Sequence, residues 1–151
     1  MITYYNGDLL TSKADVIAHQ CNAQGVMGSG VAKQIKDTYP TVYSVYRRDI
    51  LNGTLTLGHT QFVILPTYQF IANMVAQNNY GYDGRRYTSY DAFHDCLVEI
   101  ASYMKLNNLT SIAFPYNVGC CRGGADWTII STMIEVVLKD FNIEFWRYDK
   151  D

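Results

Sequence analysis

The chain carries no basic tail or stripe: 12 Lys and Arg stand against 14 Asp and Glu, a formal charge of −2, and the cations are scattered. Nonspecific binding to a phosphate backbone by charge alone is thereby disfavoured, although binding of a nucleotide is not. The four cysteines, Cys21, Cys96, Cys120 and Cys121, lack the paired CxxC spacing of zinc sites, and adjacent Cys120 and Cys121 are poorly placed to bridge each other. They read as reduced thiols, and we expect neither a metal nor a cofactor. No apolar run approaches the ~20 residues of a membrane span. Met1 leads into Ile2-Thr3-Tyr4-Tyr5 without the basic segment and apolar stretch of a secretion signal. A soluble cytoplasmic protein is expected, monomeric, with no membrane partner and no direct nucleic-acid binding. Neither glycine-rich stretch ends in Gly-Lys-Ser/Thr, and neither follows the GxGxxG spacing with an acidic residue ~20 positions on. ATP hydrolysis and hydride transfer lose their usual support.

What is present fits one domain over residues 1–151. Short strands are expected at residues 2–5 and 16–21, followed by a helix over 30–39 that Pro40 limits and a second over 42–51 closed by Asn52-Gly53. Apolar, β-rich runs at 60–65 and 70–76 read as a hairpin or closely connected pair. A polar, glycine-marked loop follows at 77–86. Residues 89–106 place Ala92, Phe93, Cys96, Leu97, Ile100, Ala101 and Met104 on one helical face, with Ser89 as a partial capping signal. A strand at 111–114, a helix over 127–141 with Ile129, Ile130, Met133, Ile134, Val137 and Leu138 on its core side, and a strand at 143–148 complete the chain. The alternation predicts an α/β fold, three layers with helices flanking a central mixed sheet.

Two glycine loops, at 24–30 and 117–124, each follow a strand and precede a helix. In an open α/β sheet the crevice outside the strand carboxyl ends is the usual ligand site, so the loops are expected to share one cleft. Gly25, Gly28 and Gly30 in one, and Gly119, Gly123 and Gly124 in the other, remove side chains that would keep a pyrophosphate away from the backbone. A lone loop of this kind more often only turns the chain; the pair favours a diphosphate clamp.

Across nearly its whole length the chain resembles a macrodomain, the ADP-ribose-binding fold. The resemblance rests on Asn6-Gly7-Asp8-Leu9-Leu10, His19-Gln20-Cys21-Asn22, Gly28-Ser29-Gly30-Val31-Ala32, Pro115-Tyr116-Asn117-Val118-Gly119-Cys120 and Asp126-Trp127. It is most similar to the branch of terminal ADP-ribose protein glycohydrolases and ADP-ribose-1''-phosphate phosphatases. The resemblance implies an α/β/α sandwich with about six strands, in which Asp8 accepts from the adenine amine and Leu9 lies at the adenine edge. It also implies that Tyr148 packs on that base and Asn22 meets the distal ribose. The backbones of Gly28, Ser29, Gly30 and Val31, and of Val118, Gly119, Cys120, Cys121, Arg122 and Gly123, would then take the phosphates. By chemistry alone Asp8 is equally a turn or capping residue, and a tyrosine among thirteen is more often packing.

The implied activity is removal of ADP-ribose from a modified macromolecule, or of phosphate from ADP-ribose-1''-phosphate; a noncatalytic reader is the alternative. Glycohydrolases of this branch use a lysine just after the fourth strand and an aspartate in the second loop. This chain reads Met74-Val75-Ala76-Gln77-Asn78-Asn79 at the first place and has Gly123 at the second. The remaining catalytic candidates are Asp126, Asn22, His19 and Gln77. His19 beside a buried strand is more often structural, and Asp126 before an apolar-periodic helix is what a cap looks like.

Overall fold

The computed structural model describes residues 1–148. Six strands form one mixed sheet: β1 (Ile2–Asn6), β2 (Val16–Asn22), β3 (Thr60–Ile64), β4 (Phe70–Gln77), β5 (Ser111–Pro115) and β6 (Asn142–Arg147), in the order β1-β6-β5-β2-β4-β3. All neighbours are parallel except the β3–β4 pair, which is the antiparallel hairpin expected from the sequence. A 3-10 turn (Leu9–Thr11) follows β1, and four helices cover the sheet: α1 (Gly30–Thr38), α2 (Pro40–Leu51), α3 (Tyr90–Leu106) and α4 (Trp127–Val137).

The layers follow from the apolar periodicities. Phe93, Leu97, Ile100 and Met104 of α3, with Ile130 and Ile134 of α4, pack on Ala18, Ala72, Met74, Ile112 and Phe114. On the other face Ile35 of α1 and Val42 of α2 cover Ile17, Ile71 and Ala113, while Tyr46 packs with Cys21 and Val75. Each such side chain contributes roughly 1.5–3 kcal/mol relative to an exposed one; β4, buried on both faces, reads as a nearly continuous apolar run, whereas β2 is apolar at Val16-Ile17-Ala18 and turns polar at its carboxyl end.

Several details differ from expectation. Helix α2 starts at Pro40, not 42, because proline at the first helical position gives up only an N–H that has no helical partner. Helix α4 stops at Val137, and Leu138 to Phe141 turn the chain into β6, whose Asn142 N donates to Thr110 O. Ile129 is not on the core side: the buried stripe is Ile130, Ile134 and Leu138. Strand β6 ends at Arg147, leaving Tyr148 just beyond it.

β2 and β5 are parallel neighbours, so their carboxyl ends leave the same edge of the sheet. From there the chain runs to α1 on one face and to α4 on the other, which opens a crevice at that edge. No helix among the described residues is long and apolar enough to cross a membrane.

Candidate functional site

A cleft of about 520 Å³ lies at this edge, and both glycine loops line it. The first presents the start of α1. Ser29 occupies the N-cap position without a side-chain cap bond, and the first turn has no acidic residue. Among the described residues no hydrogen bond is donated by the N–H groups of Gly28 to Ala32. This is a helix N-terminus with its positive end uncompensated, which favours an anion.

In the second loop, Val118 N and Cys120 N close turns onto Pro115 O and Asn117 O. The N–H groups of Gly119, Cys121, Arg122 and Gly123 donate to no group among the described residues. The loop is held from behind. Thr88 Oγ1 donates to Gly119 O at 2.8 Å, and Gln20 Nε2 donates to Thr88 Oγ1 and to Gln77 Oε1 at 2.7 and 2.6 Å. Tyr87 N and Thr88 N both donate to Gly123 O. A Cβ on Gly123 would lie closer than 3.0 Å to Thr88 Oγ1 and Gly119 O, so only glycine fits. Gln20 Oε1 is buried without a partner among the described residues, and a Cβ on Gly119 would meet it at 2.9 Å.

Asn22 ends β2 at a break in register and lines the cleft. Its Oδ1 accepts from Gln24 N (3.0 Å) and Val26 N (3.2 Å), Nδ2 donates to Val26 O (2.8 Å), and the buried Tyr46 hydroxyl donates to the Asn22 backbone carbonyl (2.5 Å) with Oδ1 at 3.0 Å. The side-chain oxygen is thus engaged in shaping the first loop, while Nδ2 keeps one N–H beyond the Val26 bond.

His19 is buried and lines the cleft floor, with Nε2 2.6 Å from Asn73 Oδ1. Asn73 Nδ2 donates to Gln61 Oε1, which leaves Asn73 Oδ1 to accept from His19 Nε2 and makes Nδ1 the bare nitrogen. Burial, opposed in part by the Asn73 bond, lowers the pKa of His19 to about 4. It is thus neutral and weakly basic at pH 7. Because the unfolded histidine binds its proton near pH 6.5, the neutral ring favours the fold fully above that pH. The benefit is lost as pH falls toward 4, at no more than about 1.4 kcal/mol per pH unit. Urea midpoints measured across this window should fall more steeply for the wild type than for a His19→Gln chain.

Of the other expected residues, Leu9, Gly28, Ser29, Gly30, Val31, Gln77, Val118, Gly119, Cys121, Arg122, Gly123 and Tyr148 line the cleft. Asp8, Cys120 and Asp126 do not. Asp8 Oδ1 caps the 3-10 turn by accepting from Leu10 N (2.9 Å) and also accepts from Gln34 Nε2 (2.6 Å). Cys120 turns into the α3–α4 core, where burial pushes its thiol up to about 12. Asp126 Oδ1 accepts from Thr128 N and Ile129 N at the start of α4. An Asp126→Ala chain should therefore lose about 1 kcal/mol of stability in denaturant melts and leave any turnover unchanged, since the carboxylate stands outside the cleft.

The sequence reading missed Gln20, Gln34, Tyr80 to Tyr82, Tyr116, Asn117, Trp146 and Arg147 as lining residues. For Gln20 a signal existed: a polar side chain at the end of a buried strand, on the side opposite His19 and Cys21. The charged side chains lining the cleft are Arg122 and Arg147; among the described lining residues there is no carboxylate and no lysine. That balance suits a diphosphate.

The family model described as Macro domain matches residues 18–134. The DNA ADP-ribosyl glycohydrolase of Mycobacterium tuberculosis is 32% identical over 132 residues, 84% of this chain and 36% of that protein. An ADP-ribose 1''-phosphate phosphatase of Aspergillus fumigatus is 40% identical over 52 residues, 34% of this chain and 26% of that protein. The chain thus spans about a third of the length of the first of these curated relatives. Among solved structures, the macrodomain of Mycobacterium tuberculosis DarG superposes with a TM-score of 0.86 at 25% identity, covering 97% of each chain. With a six-stranded mixed sheet, two glycine loops at one edge and a family match over most of its length, the chain belongs to the Macro domain family.

Proposed function

We propose that the cleft binds ADP-ribose and that the chain hydrolyses an ADP-ribosyl bond on a modified macromolecule, with ADP-ribose-1''-phosphate as the other substrate class. One observation carries the binding: two sets of undirected N–H groups, those of Gly28 to Ala32 and those of Gly119, Cys121, Arg122 and Gly123, stand at the same cleft with two arginines and no carboxylate among its described lining residues. The name of the Mycobacterium tuberculosis relative supports the glycohydrolase reading.

In this reading the diphosphate lies between the loops. The adenine lies toward Leu9 and Tyr148, the latter 43% exposed and able to offer a ring face. Asp8 then serves the adenine end by holding the 3-10 turn, with Oδ2 free of hydrogen bonds among the described residues. The distal ribose lies toward Gln20, Asn22 and Gln77. Hydrolysis forms a bond from water oxygen to the anomeric carbon and breaks the bond from that carbon to the leaving group, which departs with a proton. Because β4 exits through Gln77-Asn78-Asn79, no lysine there forms a covalent adduct. With His19 neutral and Asp126 remote, rate acceleration rests on orientation of the bound ribose rather than on a strong general base.

The absence of a carboxylate or lysine among the described lining residues favours a second reading, a noncatalytic reader of ADP-ribose. Incubation with ADP-ribosylated single-stranded DNA, an ADP-ribosylated acidic protein and ADP-ribose-1''-phosphate decides between them. Release of ADP-ribose from any of the three supports hydrolysis; binding of all three without product selects the reader.

A further inference from the structure

The loop after β4 contributes Tyr80, Gly81 and Tyr82 to the cleft and begins at Gln77, toward which the distal ribose lies in the reading above. Tyr80 and Tyr82, 50% and 70% exposed, line the mouth there. The Arg122 guanidinium, from the second glycine loop, sits 4.4 Å from the centre of the Tyr82 ring. Arg85 and Arg86 follow in the same loop, and Arg86 lies over the Tyr90 ring at 4.5 Å. Against these three arginines the loop sets one carboxylate, Asp83, so the shelf keeps a positive balance in a chain whose net charge is negative.

The shelf is built and not merely exposed. Tyr87 Oη donates to Asp83 Oδ1 at 2.8 Å, Arg85 N donates to the same oxygen at 3.2 Å, and Arg85 Nε pairs with Asp83 Oδ2 at 3.0 Å. The Tyr87 ring packs so closely on Gly81 that a Cβ there would overlap it. Tyr87 N and Thr88 N tie the far end of the loop to Gly123 O. The two tyrosines are thus presented by a knotted loop anchored on the phosphate-binding one. Exposed aromatic rings held next to arginines are what a single-stranded nucleic acid uses, since every base offers a π-face and every linkage a negative charge. An acidic peptide would engage the arginines but leave the rings without a partner.

We infer that Tyr82, with Tyr80 beside it, is a stacking shelf for a nucleotide flanking the ADP-ribosylated one, and that Arg85 engages its phosphate. The substrate is then single-stranded nucleic acid carrying the modification. This rests on the cleft holding ADP-ribose. It also revises the expectation that direct nucleic-acid contact is absent: the contact spans one or two nucleotides by stacking, and so needs no basic groove.

The test compares dissociation constants for non-hydrolysable, carbon-linked ADP-ribose conjugates of a single nucleoside, a single-stranded trinucleotide modified on its central base, and an acidic tripeptide. The trinucleotide should bind about tenfold tighter than the nucleoside. Tyr82→Ala should bring that ratio close to one, Tyr82→Phe should preserve it, and Arg85→Gln should reduce it together with its salt dependence. Equal affinities for nucleoside and trinucleotide, an equal gain for the tripeptide, or a ratio unaltered by Tyr82→Ala overturns the shelf while the nucleoside conjugate still binds. If neither free ADP-ribose nor any conjugate binds, the reading of the cleft fails and the shelf falls with it.

Discussion

Replacing Gly123 by aspartate is expected to dismantle the cleft and not to arm it. The glycohydrolases that this chain resembles place an aspartate at this position in the second loop, so Gly123→Asp looks like the restoration of a catalytic group. Here, however, the space a Cβ needs is taken by Thr88 Oγ1 and Gly119 O, both closer than 3.0 Å. Neither is the end of a flexible chain. Thr88 Oγ1 is held between Gln20 Nε2 and Gly119 O, and Gly123 O receives two backbone N–H groups. Overpacking of this kind costs about 1–3 kcal/mol, and each buried polar group that loses its partner adds a similar amount. A thermal melt should fall by roughly 5–10 °C, and ADP-ribose affinity should fall rather than rise. A stable, more active Gly123→Asp chain would show that the Gln20–Thr88–Gly119 network is not what shapes this loop.

Asn22→Ala should weaken binding of ADP as strongly as it weakens binding of ADP-ribose. A ribose-contacting asparagine would behave differently, because ADP lacks the distal ribose and would be indifferent to its loss. In the structure the Asn22 amide closes residues 22–26 on themselves, while the buried Tyr46 hydroxyl holds the Asn22 backbone carbonyl. Removing it frees the segment that leads into Gly28 to Ala32. Re-ordering even two residues on binding costs about 2–4 kcal/mol, so both ligands should lose roughly a hundredfold in affinity. Parallel titrations with the two nucleotides separate the roles: a loss confined to ADP-ribose returns Asn22 to the ribose.

These two residues mark where the sequence could be read and where it could not. The glycine loops were legible because a strand, a glycine cluster and a helix start leave a local signature, and the parallel pairing of β2 with β5 then brings the two together. The Asp126 cap was legible in the same way, as an aspartate one residue before an apolar helix. Asp8 was legible as a turn or cap residue, and Leu10 N supplies that bond; what was not legible are the further contacts of Asp8 and Asn22, which come from Gln34 and Tyr46, 26 and 24 residues away. Ile129 was misplaced because α4 carries apolar residues at Ile129, Ile130, Met133, Ile134, Val136 and Val137, enough for more than one stripe, and packing against α3 and the sheet selects Ile130, Ile134 and Leu138. The Tyr82–Arg122 contact joins two loops brought together by the sheet and by the bonds of Tyr87 N and Thr88 N to Gly123 O, and nothing in either segment announces it.

The central claim is that the two sets of undirected N–H groups hold the diphosphate of ADP-ribose. Calorimetric titration of the wild-type chain with ADP-ribose addresses it most directly. Saturable heat fitting one site, competed by ADP, is the expected result. No heat with ADP-ribose at millimolar concentration would contradict it.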